Sequence, residues 1–523
     1  MRSKPRLIAP ATRQEENLSI QSLVRGTAAI DEQTCSGNGG RNTDRSSSTG
    51  ESAQVACTTV SNFLSPSTLS ELSHESQTIL RSKGHYDNTI MITEGYLSPS
   101  DSKIGSNLRA SSLLPLQQIF RTFSRIPNSP SNPIIAFLRS PQFEDYILVH
   151  FDRMMNYVYF KPTQVHKARF LEMIVSRLRN SWIARWSMLL SVRIGEGLIT
   201  DTLEPQLYSR WIRELEGAVR TTLAQDPTSS QTHRLQGDCL ELLVMKSMVV
   251  SGSDVIQVLR SAAPTFLQTA YSYPELWSDN SDPTFIPLLR ITASKYHELS
   301  SFALIDCTCA MVFGVPQQVE YDTSAGPLPE SSRSYEWSHS SPVEFLVLLA
   351  EINACRDKRP GTRDWREIEC ELVTWIARPA QHDETWESWM VVAWLAVQES
   401  WRLTLLAYLY LAVCGASSDE PRVQLCISQI LQVTGAVKKH ESPDVCIPFF
   451  IQYLIAGICA NREDHRGTVR NKLSDKSESK FWKLQSRDFV PVLDHLWHGA
   501  GSDGRPIKWT DYIHSREALI PIV

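Results

Sequence analysis

An amide, a carboxylate and a guanidinium stand within about one helical turn in Gln398-Glu-Ser-Trp-Arg402, and the apolar run 403–414 follows at once. Glu399 and Arg402 are three residues apart, the spacing at which two side chains meet on one face of a helix. Leu403, Leu405, Leu406, Tyr408, Leu409 and Leu411 cover more than one face, so this helix is expected to be enclosed on most sides. A charge on an enclosed helix is tolerated when it is paired, and Arg402 can pair with Glu399. Two roles fit Gln398, Glu399 and Arg402: a buried polar anchor that fixes helix register, or the polar end of an effector pocket.

Other chemistry-bearing residues lead less far. Cys307 and Cys309 point about 200° apart on a helix, so they cannot share a metal and read as core packing. Asp494, His495 and His498 lie on one short helical stretch. A metal there needs one or two further ligands that nothing in the sequence nominates, so local hydrogen bonding is expected. The string from His382 to Glu387 lacks the second histidine of a zinc-protease helix. No nucleophile elbow, phosphate loop or dinucleotide fingerprint is present, so no catalytic constellation is visible. Arg356, Lys358, Arg359, Arg363 and Arg366, interrupted by Asp357 and Asp364, read as a solvated basic loop.

The elements that must position these residues are helical. Phe170, Ile174, Leu178, Trp182, Trp186, Leu190 and Ile194 form an i, i+4 ladder that predicts one long amphipathic helix. Further helices are predicted over 207–223, 239–250 and 253–263, the last capped at Ser253-Asp254 and closed by Pro264. Periodicity resumes over 287–313, 342–354, 365–376 and 386–414, and again through the apolar segments ending near 433 and 460. The apolar runs 403–414 and 445–460 fall short of the about 18–20 residues a membrane span needs. No sustained period-two alternation occurs. The expected fold is all-α, a large multi-helix bundle or an irregular α-solenoid-like body.

Residues 1–105 differ from all that follows. They are rich in Ser, Thr, Gly, Asn and Arg with sparse apolar positions, and such a segment is expected to be disordered. The helical body is expected over 106–523, with possible halves 106–315 and 340–523 joined by the Pro- and Ser-rich stretch 314–341. The formal charge of −5 gives no global basic surface for nucleic acid. Eleven scattered cysteines point to a reducing compartment rather than a disulfide scaffold. No signal peptide is seen, and no membrane is expected as a partner.

Several strings resemble the fungal-specific transcription-factor regulatory domain, in the form common among basidiomycete regulators. They are Ser261-Ala-Ala-Pro-Thr-Phe-Leu-Gln268, Val312-Phe-Gly-Val-Pro-Gln-Gln-Val-Glu-Tyr-Asp322, Ser341-Pro-Val-Glu-Phe-Leu-Val-Leu-Leu-Ala-Glu-Ile-Asn-Ala-Cys355 and Asp364-Trp-Arg-Glu-Ile-Glu369. The strongest are Val397-Gln-Glu-Ser-Trp-Arg402, Cys414-Gly-Ala-Ser-Ser-Asp-Glu-Pro-Arg-Val-Gln424 and Tyr453-Leu-Ile-Ala-Gly-Ile-Cys459. The resemblance covers roughly 140–523 and implies a nuclear, all-helical regulatory module, usually carried downstream of a binuclear zinc cluster. That cluster needs six cysteines, whereas the first 238 residues hold Cys35 and Cys57 alone. Two thiolates cannot hold two tetrahedral zinc ions. No cofactor is therefore expected, and DNA would be reached indirectly or through a missing N-terminal module. Protein partners are expected (the transcription machinery or a homologous regulator), with a small-molecule effector possible. The competing reading is a non-catalytic helical scaffold, and the cytoplasm is the alternative to the nucleus.

Overall fold

Proline opens several of the helices. Pro133, Pro141, Pro205 and Pro421 each stand at a first helical position, where the missing N–H would have had no partner and the fixed φ is already helical. The computed structural model describes residues 120–522 apart from 122, 124, 128–131, 226–227, 278–281, 325–335, 380–385, 441, 443–444 and 476–483. The N-terminal segment 1–105, expected to be disordered, lies outside the described residues, as do Cys35 and Cys57.

In chain order the helices are α1 (Pro133–Arg139), α2 (Pro141–Met155), α3 (Gln164–Asn180), α4 (Trp182–Ile199), α5 (Pro205–Leu223) and α6 (Ser229–Val249). Next come α7 (Asp254–Tyr271), α8 (Leu288–Ala293), α9 (His297–Phe313), α10 (Glu336–His339), α11 (Val343–Arg356) and α12 (Trp365–Val373). The remainder are α13 (Ser388–Ala412), α14 (Pro421–Ala436), α15 (Phe450–Cys459), α16 (Glu463–Ser474), α17 (Val490–His498) and α18 (Trp509–Leu519). The fold is all-α. Among the described residues the extended pairing is limited to two residues a side, β1 (Ile286–Pro287) parallel to β2 (Tyr321–Asp322), with Ile286 opposite Tyr321.

Two helices organise the body. In the N-terminal part α6 packs against α4, α5, α7 and α9, and in the C-terminal part α13 packs against α11, α12, α14 and α15. The contact of α9 with α11 joins them, and the described residues belong to one unit. Residues of α13 are buried from Met390 to Leu411 with few interruptions. No described helix is long and apolar enough to cross a membrane.

The structure corrects four local expectations. The ladder from Phe170 to Ile194 is two helices rather than one, because Ser181 is extended (φ −156°, ψ 139°) and its hydroxyl oxygen accepts from the amides of Ile183 (3.1 Å) and Ala184 (3.4 Å). That cap satisfies donors which a continuous helix would have bonded to the preceding turn. Pro264 lies inside α7 instead of ending it. Val255, Ile256, Leu259, Ala262, Phe266 and Ala270 bury one continuous face across it, and that packing outweighs the lost backbone bond. Ser253 precedes that helix but makes no side-chain cap bond.

The fourth correction concerns the basic loop. The Arg356 side chain is only 6% exposed: its guanidinium donates to the carbonyls of Ala310 (2.7 Å) and Val315 (2.6 Å) and to the Tyr408 hydroxyl (2.8 Å), and it pairs with Asp357. Arg363 pairs with Glu351 (2.8 Å) and Glu371 (2.9 Å), and Arg359 with Glu320 (3.1 Å). Arg356 and Arg359 thus hold neighbouring elements, whereas Lys358, Arg363 and Arg366 are exposed, as expected of a solvated loop. Gly314 closes α9 in the left-handed region (φ 62°), and a Cβ there would collide with Ile513 of α18.

Candidate functional site

The polar residues of α13 sit where the apolar run places them, inside the body. Gln398, Glu399 and Arg402 are all buried. Arg402 grips Glu399 with both arms, Nε to Oε2 at 2.8 Å and Nη2 to Oε1 at 2.7 Å, the forked geometry that makes arginine–carboxylate bonds strong. Its remaining arm reaches the Leu372 carbonyl at the end of α12 (3.4 Å). Gln398 is turned to different partners. Its side-chain oxygen accepts from the Arg378 amide (3.0 Å), and its nitrogen donates to the Arg378 carbonyl (2.9 Å).

Arg378 in turn pairs with Glu336 of α10 and with Glu344 of α11 (2.8 Å). Trp401 Nε1 donates to the Ser340 carbonyl (3.2 Å). The cluster thus brings together α10, α11, α12 and the chain after α12 on one face of α13. Burial pushes the Cys426 thiol, on α14, up to about 12 despite the nearby Arg402, so it is held as a neutral thiol.

A second arrangement escaped the sequence reading. A cleft of 530 Å³ opens where α3, α4, α6 and α9 meet, and Arg177, Asp238 and Glu298 line it. Arg177 pairs with Asp238 (3.1 Å), with Glu241 in close contact and with Glu298 at 3.9 Å. One guanidinium therefore faces three carboxyls. Burial raises the pKa of all three against the pull of Arg177, Glu241 to about 7. Among the described residues, Asp238 Oδ2 is buried without a hydrogen-bond partner.

The elements explain the convergence. Arg177 lies in the last turn of α3, one residue upstream of Leu178 and four before the Ser181 cap. Glu298 stands in the first turn of α9, where free backbone amides favour a negative charge. Gly237 lets α6 come close, since a Cβ there would meet Glu298 Oε1 at 3.1 Å. An isolated glycine within a helical pattern, followed at once by Asp238, was the one signal available in the sequence.

The other candidates are local contacts. Asp494 pairs with Arg470 (2.7 Å) and His495 Nδ1 lies 3.1 Å from the Ser515 hydroxyl. Cys307 and Cys309 are both buried in α9, with Gln317 donating to the Cys307 sulfur (3.1 Å). Among the described residues, no three His, Cys, Asp or Glu are grouped to hold a metal ion. His382 and its neighbours to 385 lie outside the described residues.

No curated protein and no solved structure matches the chain. Residues 362–520 match the model of the fungal specific transcription factor domain. That segment runs from just before α12 to the end of α18 and contains Gln398, Glu399 and Arg402, whereas the cleft lies upstream of it. The C-terminal helices of this chain, α12 to α18, are thus similar to the fungal specific transcription factor domain.

Proposed function

We propose that this chain is a transcription-regulator-like protein of the nucleus, in which a helical, effector-responsive module works through contacts with other proteins and not through catalysis. The family match over 362–520 is the observation that carries this reading. The acidic formal charge of −5 agrees with it, because a chain without a general basic surface depends on a partner or a separate module to reach DNA. Its partners are the transcription machinery or a homologous regulator. Gln398, Glu399 and Arg402 serve it as a buried anchor that keeps the module in one conformation.

The test is to tether the full chain to an unrelated DNA-binding domain upstream of a reporter, and to locate the untethered chain in fungal cells. The expected result is a change in reporter output relative to the DNA-binding domain alone, with nuclear accumulation. An unchanged reporter together with cytoplasmic location would replace this reading with that of a helical scaffold outside transcription.

A further inference from the structure

We propose that the cleft between α3, α6 and α9 binds a small organic cation, an ammonium group carried on an apolar or aromatic body. The inference rests on the effector-responsive reading only for its consequence; the binding chemistry follows from the site. Its 530 Å³ is in the range of clefts that hold small molecules.

The charge of the floor selects the ligand. Asp238 and Glu298 line the cleft, Glu241 stands behind them, and Arg177 is the single cation among the three. The Asp238 side chain is 7% exposed, and its Oδ2 has no hydrogen-bond partner among the described residues. A buried carboxylate oxygen in that state costs free energy that a charged N–H donor would recover. Burial raises the pKa of all three carboxyls against the pull of Arg177, so one guanidinium does not fully offset their desolvation, and an ammonium group beside them would favour their ionised forms.

The walls fit the rest of such a molecule. Phe170 and Met173 give apolar surface, and Tyr273 and Tyr296 stack with ring centroids 3.7 Å apart. Lys295 Nζ stands 5.3 Å from the Tyr296 ring centroid, within the range of a cation–π contact. Arg169, Arg234 and Lys295 at the rim are exposed, and solvent and salt screen them far more than the buried carboxyls.

The measurement is calorimetric titration and thermal shift of the full chain with phenethylamine, beside phenethyl alcohol and hydrocinnamate as controls of like shape. Phenethylamine is expected to bind saturably and raise Tm while the two controls do not. Asp238→Asn should weaken it at least tenfold. Because that change also leaves Arg177 with one partner fewer, Met173→Trp provides a second variant that fills the cleft without altering its charge. It should abolish binding while the far-UV spectrum stays that of the parent chain. Absence of amine binding, equal binding of the alcohol, preference for the carboxylate, or parental affinity in Met173→Trp would each overturn the assignment. A chain that binds no amine but still changes the tethered reporter fails here alone, whereas an inert reporter beside clear amine binding leaves the site standing and removes the regulator reading.

Discussion

Glu399 and Arg402 show what a pair of charges means at residue scale. Each is the other's main compensation for leaving water, so truncating either leaves a buried charge alone, at a cost of about 3–5 kcal/mol. Urea unfolding of Glu399→Ala, Arg402→Ala and the double variant should give two strongly destabilised single variants and a double variant well short of their sum. Stability within about 0.5 kcal/mol of the parent in both single variants would mean that the pair anchors nothing. Glu241 allows a second test. Its pKa of about 7 in the fold is above the ordinary carboxyl value, so its contribution is complete in acid and is lost as pH rises toward and through about 7. Arg177, Asp238 and Glu298 are the charges that face it, and the two acids are shifted the same way. Glu241→Gln should therefore flatten the fall in the urea midpoint between pH 5 and 8; an unchanged slope would place the titration elsewhere. The α13 pair was legible because both members lie on one helix inside a conspicuous apolar run. The cleft was not, because Arg177, Asp238 and Glu298 span more than a hundred residues and each, read alone, is an ordinary surface charge.

Among the elements, the reading from sequence went wrong where one side chain decided a boundary. Hydrophobic spacing ran unbroken through Ser181 because the two helices bury the same ladder on either side of it: Ile174 and Leu178 before, Trp186 and Leu190 after. Only the hydroxyl cap distinguishes one helix from two, and Trp182, just past the break, is left 46% exposed. Pro264 misled in the opposite direction, since its ring signals a stop that tertiary packing overrides. Arg356 was invisible as a structural residue because its partners, two carbonyls and a tyrosine hydroxyl, lie 41 to 52 residues away. From α11 it reaches the Ala310 carbonyl of α9 and the Val315 carbonyl just beyond it, and touches Tyr408 of α13, whose hydroxyl donates to Asn353 (2.7 Å). Arg356→Ala should cost several kcal/mol, on the order of 3–5, by leaving Asp357 and the Val315 carbonyl without their guanidinium partner. Arg356→Lys should recover only part, because an ammonium cannot reproduce the forked geometry. Equal stability of the lysine variant and the parent would show that charge alone is enough.

For the whole molecule, the question is whether the stretch 314–341 separates two halves that fold alone. Contacts across it argue that they do not. Tyr512 of α18 donates to the Val312 carbonyl of α9 (2.5 Å), Tyr159 to the Lys438 carbonyl (2.8 Å) and Trp386 to the Lys161 carbonyl (2.8 Å). The Gly252 amide donates to Asp488 (3.2 Å), and Phe313 packs edge-on against Phe489. Apolar faces follow the same course, since α9 packs on α11 and Phe160 stacks on Trp386 and meets Trp394 edge-on. Separating the two parts would expose these aromatic surfaces at about 25 cal/mol per Å², a large cost against the 5–15 kcal/mol typical of a whole domain. A chain spanning 117–523 is therefore expected to unfold in urea as one transition, with tryptophan fluorescence and far-UV circular dichroism superimposable. A fragment of 340–523 should lack the cooperative transition and bind a hydrophobic dye. Two separated transitions, or a cooperative fold in that fragment, would establish independent halves. A single transition would instead leave the packing of α9 on α11 as the direct physical connection between the cleft and the matched helices.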